Sequence, residues 1–282
     1  MIDQLLQYDF SLNEKHNFTA LAGFNFTRTF INSQSSSSSR GNNDYVFTIN
    51  EPATIVLNGV VTPIITTSTN ISESRSASYF GQVNYDYDSK YLLSGSLRYD
   101  GFSNFAPENK YAYFPSISAG WNIHKESFWK FSPTISSLKL RGSWGKAGLN
   151  DISIASTYGG YGVASYALAS GIQRSNIPNP NLRWESTETL DLAIEAGLFD
   201  ERVNLVIDFY DKQTKDRLAG KPLPSESPFS SMTYNNGTLQ NKGVEIEIGA
   251  HIIKAKDFNW RTNFAFALNN QKILKLPDNG RL

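Results

Sequence analysis

Apolar and polar residues alternate with a period of two along most of the chain, and the pattern is clearest between 183 and 210. Leu190, Leu192, Ile194 and Ala196 fall on one face, and Thr189, Asp191, Ala193 and Glu195 on the other. After the turn at Asp200-Glu201, Val203, Leu205, Ile207 and Phe209 oppose Asn204, Asp208 and Tyr210. This is the signature of β-strands whose two sides meet unlike environments. The stretch 111–148 follows the same plan: Tyr113, Pro115, Ile117, Ala119 and Trp121 share a face, then Leu138, Leu140, Gly142 and Trp144. Hairpins of this kind are also read at 2–26, 74–101 and 238–268, the last with Val244, Ile246 and Ile248 facing the same way as Phe264 and Phe266.

The pattern predicts about ten antiparallel strands of roughly 9–14 residues, enough to cross a bilayer at a tilt. Short turns (13–16, 88–89, 200–201, 254–257) alternate with long polar connections at 31–73, 148–182 and 215–237. Within the first of these, IVLNGVVTPIITT has the composition of a small ribbon. Outer-membrane barrels have short periplasmic turns and long outward loops. Aromatic residues near strand ends (Tyr8, Phe18, Tyr87, Tyr91, Trp121, Trp184, Trp260) suit interfacial girdles. The fold class is therefore read as all-β, an antiparallel transmembrane β-barrel segment. The aliphatic faces are expected to be exposed to lipid and the opposite faces to line the lumen. With short turns in the periplasm, the first strand starts outside and the last ends outside, so residues 1–282 read as an internal piece of a larger barrel.

Composition narrows the function. The charges balance at 26 against 26, without the basic excess of a nucleic-acid binder. No run reaches the ~18 apolar residues of a membrane helix, a test that barrels escape because their signal per segment is weak. There is no cysteine, so disulfides and thiolate metal sites are excluded.

Several stretches resemble one family. DGFSNFAPENKYAYFPSISAGWNI, SSLKLRGSWGKAGLNDI, NPNLRWESTETLDLAIEAGLFDERVNLVIDFYDKQTKDRL and NNGTLQNKGVEIEIGAHI are similar to SusC/RagA sequences. These are TonB-dependent outer-membrane transporters of Bacteroidetes-type bacteria. The resemblance covers nearly all of 75–275; residues 1–30 fit the preceding hairpin. It implies a plugged barrel of about 22 strands and import of oligosaccharides or peptides under a SusD-like surface lipoprotein. It also implies energy from the TonB complex through a region upstream of this chain, where the plug is expected too. Two other readings stay open: a soluble β-sandwich carbohydrate-binding module, and a TonB-dependent receptor for siderophores or cobalamin.

Catalytic chemistry finds little support in the sequence. His16, His124 and His251 lie in or beside different turns without a second ligand at metal spacing, and read as solvated turn residues. Asp191, Glu195, Glu245 and Glu247 could be paired carboxylates, but each alternates with lipid-side aliphatics and so reads as lumen wall. YGGYG at 158–162 lacks the Lys and Ser/Thr of a phosphate loop. No catalytic residue, metal or cofactor is expected. Ligand or partner contact is assigned instead to aromatic residues in or beside the outward loops: Phe102, Phe105, Tyr111, Tyr158, Tyr161 and Tyr166. Aromatic rings there suit the apolar faces of sugars, with polar neighbours for the hydroxyls.

Overall fold

A computed structural model of the protein describes residues 1–38, 54–57, 60–63, 65–131, 134–166 and 169–275. In chain order the strands are β1 (Ile2–Leu12), β2 (His16–Ser38), β3 (Thr54–Leu57), β4 (Val60–Pro63), β5 (Ile65–Tyr87), β6 (Tyr91–Phe102), β7 (Tyr111–Asn122) and β8 (Ile135–Leu149). They continue with β9 (Tyr161–Tyr166), β10 (Ala169–Arg174), β11 (Glu185–Leu198), β12 (Val203–Lys215), β13 (Leu218–Pro222), β14 (Ser231–Asn235), β15 (Thr238–Lys254) and β16 (Asn259–Lys275). One short helix, α1 (Ile154–Tyr158), lies between β8 and β9. Ten strands form a single sheet in the order β1-β2-β5-β6-β7-β8-β11-β12-β15-β16, and three two-stranded ribbons pair β3 with β4, β9 with β10 and β13 with β14. The chain divides into two compact units, residues 27–75 and the remainder.

In the larger unit the register joins the aliphatic faces into rows. Leu192 stands opposite Phe209, Val244 and Leu268 in turn; Ile194 opposite Ile207, Ile246 and Phe266; Ala196 opposite Leu205, Ile248 and Phe264. A soluble sheet would cover these rows. Here Leu192 is 53% exposed and Phe264 57%, whereas Ala193, on the polar face, is only 3% exposed. This inversion overturns the soluble-sandwich alternative, because among the described residues no second sheet lies over the aliphatic rows. Water would not tolerate an apolar surface of this extent on a monomer, and lipid requires one.

Backbone bonds gather the short connections at one end of the sheet. Asp88 N–H donates to the Lys15 carbonyl (2.7 Å), Asn122 to Lys90 (2.8 Å), Phe199 to Thr134 (3.1 Å) and His251 to Arg202 (2.8 Å). At the opposite end, side chains tie 103–110, 150–184 and 216–237 together, as described below. The short turns bend through left-handed residues that are not glycine: φ is 52° at Asn13, 56° at Glu14, and 52° at both Asp88 and Ser89. Two such residues in succession give the hairpin turn whose twist matches its strands.

Two aromatic belts cross the lipid-facing side. At the short-turn end Tyr87 stacks near Tyr91 (ring centroids 6.1 Å apart) and Tyr91 near Trp121 (6.4 Å), with Phe18 against Tyr85 (4.8 Å) and Phe10 against Phe18 (4.8 Å). At the far end Tyr99 stacks on Tyr113 (4.5 Å) and on Tyr111 (5.1 Å). Trp184, expected in a girdle, turns instead into the loop core.

Residues 27–75 depart most from the expected pattern. β2 and β5 each run for 23 residues, well into the stretch 31–73 read from the sequence as a connection. Their outer parts are rich in Thr, Ser and Asn, because strands with water on both sides need no alternation to signal them. The Arg28 guanidinium forks onto Glu73 (Nε and Nη2 each 2.9 Å) and Arg75 adds a bond of 2.7 Å, holding the Glu73 carboxyl below the usual carboxylate range. The β3–β4 ribbon falls within the segment whose composition announced one. Residues 39–53 and 276–282 lie outside the described residues.

Two outcomes follow. Leu192→Arg, in the middle of the exposed aliphatic rows, should destabilise the folded protein in bilayers by about 2–4 kcal/mol, measured by denaturant unfolding. Glu14→Gly should stabilise it by about 1 kcal/mol in the same assay, since glycine takes the left-handed turn without a Cβ penalty.

Candidate functional site

The loop end of the larger unit holds the only cluster of buried apolar side chains among the described residues. Phe105 and Leu182 are both 0% exposed and pack with buried Ile152; Phe102, Trp184 and Leu218 close around them. Trp184 stacks on Phe105 (5.3 Å) and meets Phe102 (6.5 Å) and Phe114 (5.5 Å) edge-on, while its indole N–H donates to the Lys110 carbonyl at 3.2 Å. Rings drawn from β6, the β6–β7 connection, β7 and the residue that leads into β11 thus share one core. The Asn-Pro-Asn-Leu-Arg-Trp segment (179–184) leads Leu182 and Trp184 into it.

Asparagines then stitch the loops together. Asn104 Nδ2 donates to the Ile152 carbonyl (2.8 Å) and Asn179 Nδ2 to Thr233 (3.0 Å). Asn176 accepts from Gly160 N–H (2.6 Å) and donates to the Ala155 carbonyl (2.7 Å). Asn235 accepts from Arg183 N–H (2.8 Å) and donates back to the Arg183 carbonyl (2.7 Å). An asparagine amide matches a peptide group in donor and acceptor, so each replaces a ladder bond that irregular backbone lacks. The outward loops are therefore a built platform.

The six aromatic residues singled out in the sequence occupy unlike places. Phe105 is in the core and Phe102 is half-buried against it. Tyr111 is exposed at the far aromatic belt, stacked on Tyr99. Tyr158, at the end of α1, is exposed but anchored, its hydroxyl donating to the Phe105 carbonyl at 3.2 Å. Tyr161, at the start of β9, is the most exposed, with the Arg174 guanidinium 5.7 Å from its ring centre. Tyr166 ends β9; its side chain lies outside the described residues. Residues the sequence reading missed are Asn104, Asn176, Asn179 and Asn235, whose role depends on which loops meet.

On the polar face, Arg141 gathers three carboxylates. It bonds Asp191 and Glu195 at 2.8 Å each and also Asp208, while Lys139 reaches Glu195 at 3.3 Å. A hydrolytic carboxylate pair needs one proton-donating member and one free nucleophile or base. Here the candidate pair Asp191 and Glu195 accepts from one guanidinium, which is the geometry of a cross-strand brace. The histidines are not simply solvated: His16 Nδ1 meets the Tyr85 hydroxyl (2.9 Å), His124 Nδ1 meets the Leu138 carbonyl (3.1 Å), and all three rings are half-buried.

Phe105→Ala should destabilise the loop platform by about 3–5 kcal/mol, the usual range for deleting a fully buried ring. It should raise protease sensitivity in 150–184 while leaving the strands intact by circular dichroism.

The family model for the TonB-dependent receptor-like β-barrel matches residues 2–280. TonB-dependent receptor P26 of Formosa agariphila is 36% identical over 279 residues, covering 97% of this chain and 28% of that protein. TonB-dependent receptor SusC of Bacteroides thetaiotaomicron is 35% identical over 208 residues, covering 71% of this chain and 21% of that protein. The solved structure of the RagAB peptide transporter superposes with a TM-score of 0.84 at 28% identity, covering 98% of this chain and 30% of that one. The chain thus spans about a quarter of the length of the relatives it matches. Members of this family are receptors and transporters of the outer membrane. From its inverted sheet, its paired aromatic belts and these matches, the chain belongs to the TonB-dependent receptor β-barrel family, in its SusC/RagA branch.

Proposed function

We propose that this chain is part of the barrel of an outer-membrane transporter that imports glycans (oligosaccharides) or peptides together with a SusD-like surface lipoprotein. The observation that carries the reading is the pairing of a lipid-facing sheet with a stitched loop platform at the end opposite the short turns. A barrel alone needs only short connections; a platform with its own core and asparagine staples holds side chains at fixed positions for a ligand or a lid. Tyr158 and Tyr161 are the contacts we assign, being exposed rings held by a hydrogen bond and a cation–π contact. Tyr111 and Tyr166 are placed second, and Phe102 and Phe105 support the platform from beneath. The peptide class is favoured by the likeness to the RagAB transporter, and the glycan class by the likeness to SusC.

We also read residues 1–282 as one barrel segment. β1 and β16 are the edges of the ten-stranded sheet, and a bilayer accepts strands only in a closed barrel. The strands that close it, the plug and the segment that meets TonB are assigned to the rest of a longer protein. No catalytic role is assigned to this segment, since Arg141 occupies the carboxylates that would have been its best candidates.

The test is uptake by the full-length protein in its own bacterium. Deleting the gene should abolish growth on one class of oligosaccharide or peptide, and Tyr158→Ala or Tyr161→Ala should weaken binding of that ligand roughly fivefold to tenfold, as expected for losing one aromatic contact. Unchanged uptake of both classes in the deletion strain would overturn the reading.

A further inference from the structure

The connection from β7 to β8 is unlike the other turns at its end. Those at 13–15, 88–90, 199–202 and 255–258 are tight, whereas this one runs from Ile123 to Thr134 and carries the sequence HKESFWKF at 124–131. Phe128 and Phe131 are each 58% exposed. Trp129 lies between them, edge-on to Phe131 (5.1 Å), its indole N–H donating to the Ile135 carbonyl (3.3 Å). Lys125 and Lys130 are exposed, and among the described residues neither forms an ion pair. The segment is ordered by its own backbone: Trp129 N–H donates to Glu126 (3.0 Å) and Ile135 N–H to Phe131 (3.0 Å).

Its direction is fixed by Glu126. That carboxylate accepts from the Tyr91 hydroxyl (2.6 Å) and the Trp121 indole (3.1 Å), two stacked members of the lower aromatic belt on the lipid-facing side. Those bonds, the one from Tyr91 above all, hold the Glu126 carboxyl below the usual carboxylate range. The turn is therefore pinned to the outer rim of the sheet, away from the lumen. Phe199, also exposed, is bonded through its backbone to Thr134 beside it.

We propose that residues 124–131 form a membrane-seated turn, with Phe128 and Phe131 inserted into the periplasmic, phospholipid leaflet and Lys125 and Lys130 on its phosphates. Three observations favour phospholipid over a protein partner. The turn continues a surface already facing lipid, and its tryptophan sits where indoles collect at membrane interfaces. Its exposed charges, Lys125 and Lys130, are both positive, while its one carboxylate, Glu126, is taken up by Tyr91 and Trp121, so the rim it presents is complementary to a phosphate layer. The inference rests on the barrel's place in the outer membrane, and adds a contact that the spanning strands do not require.

Spin-label accessibility in the full-length transporter tests it. Phe128→Cys and Phe131→Cys, each labelled in vesicles of phosphatidylethanolamine with phosphatidylglycerol, should resemble a label at Ile117, with oxygen access high and access of a water-soluble nickel complex low. The joint variant Lys125→Glu/Lys130→Glu should move both labels toward water. Labels as open to nickel as one placed at Asp200 would overturn the proposal. So would labels shielded from both reagents, which would mean a protein covers the turn. Brominated lipids supply a readout without labels: they should quench the native protein more than Trp129→Phe, and equal quenching would count against insertion. Heat-modifiable migration on gels confirms that each variant has folded.

Discussion

A strand inside a bilayer has no water to turn to, so its amide groups must meet another strand and its outward side chains must be apolar. Every regular feature of the larger unit follows from that constraint. Among the ladders described residue by residue the antiparallel registers are continuous, with shifts only near the ends of the β8–β11 and β15–β16 ladders. Aliphatic rows face out, and none of the described residues covers them. The polar side must then be self-sufficient, and Arg141 shows how: one guanidinium spans from β8 to carboxylates on β11 and β12, offsetting charges that would otherwise repel.

The loop end obeys the opposite rule. Beyond the lipid, irregular backbone is allowed but must be satisfied locally, and a soluble-type core appears: Phe105 and Leu182 are buried there as completely as any residue in a water-soluble domain. Trp184 sits at the boundary between the two regimes. By position in the sequence it looks like a girdle residue at a strand start, yet its ring turns into the loop core and its N–H is spoken for by Lys110. Two chemistries thus share one chain, and the side chain's direction decides which one a residue serves.

What could be read from the sequence divides along the same line. The strands were legible where lipid on one side and water on the other forced a period of two, as in Leu190–Ala196 and Val203–Phe209. The outer parts of β2 and β5 were not, because both of their faces are polar. The short β13–β14 ribbon and α1 were too brief to set a period, and Asn179 or Asn235 gives no hint of the carbonyl it will meet until the loops are folded. Phe105 and Tyr158 look alike as loop aromatics in sequence, but one is buried and the other exposed.

The two aromatic belts also fix a length. On β5, β6 and β7 their members stand eight residues apart, Tyr79 to Tyr87, Tyr91 to Tyr99, and Tyr113 to Trp121. Eight residues of antiparallel strand extend about 27 Å, and a tilt of 35–45° reduces the span along the membrane normal to roughly 20 Å. That is close to the ~25 Å apolar band of outer-membrane barrels, whose membrane is thinner than the ~30 Å of an average bilayer. Amphipathic rings resist leaving the headgroup level, so the two belts act as opposed stops. A shift of this wall along the membrane normal would draw one belt into hydrocarbon and lift the other into water, which holds the loop platform at a set height above the lipid.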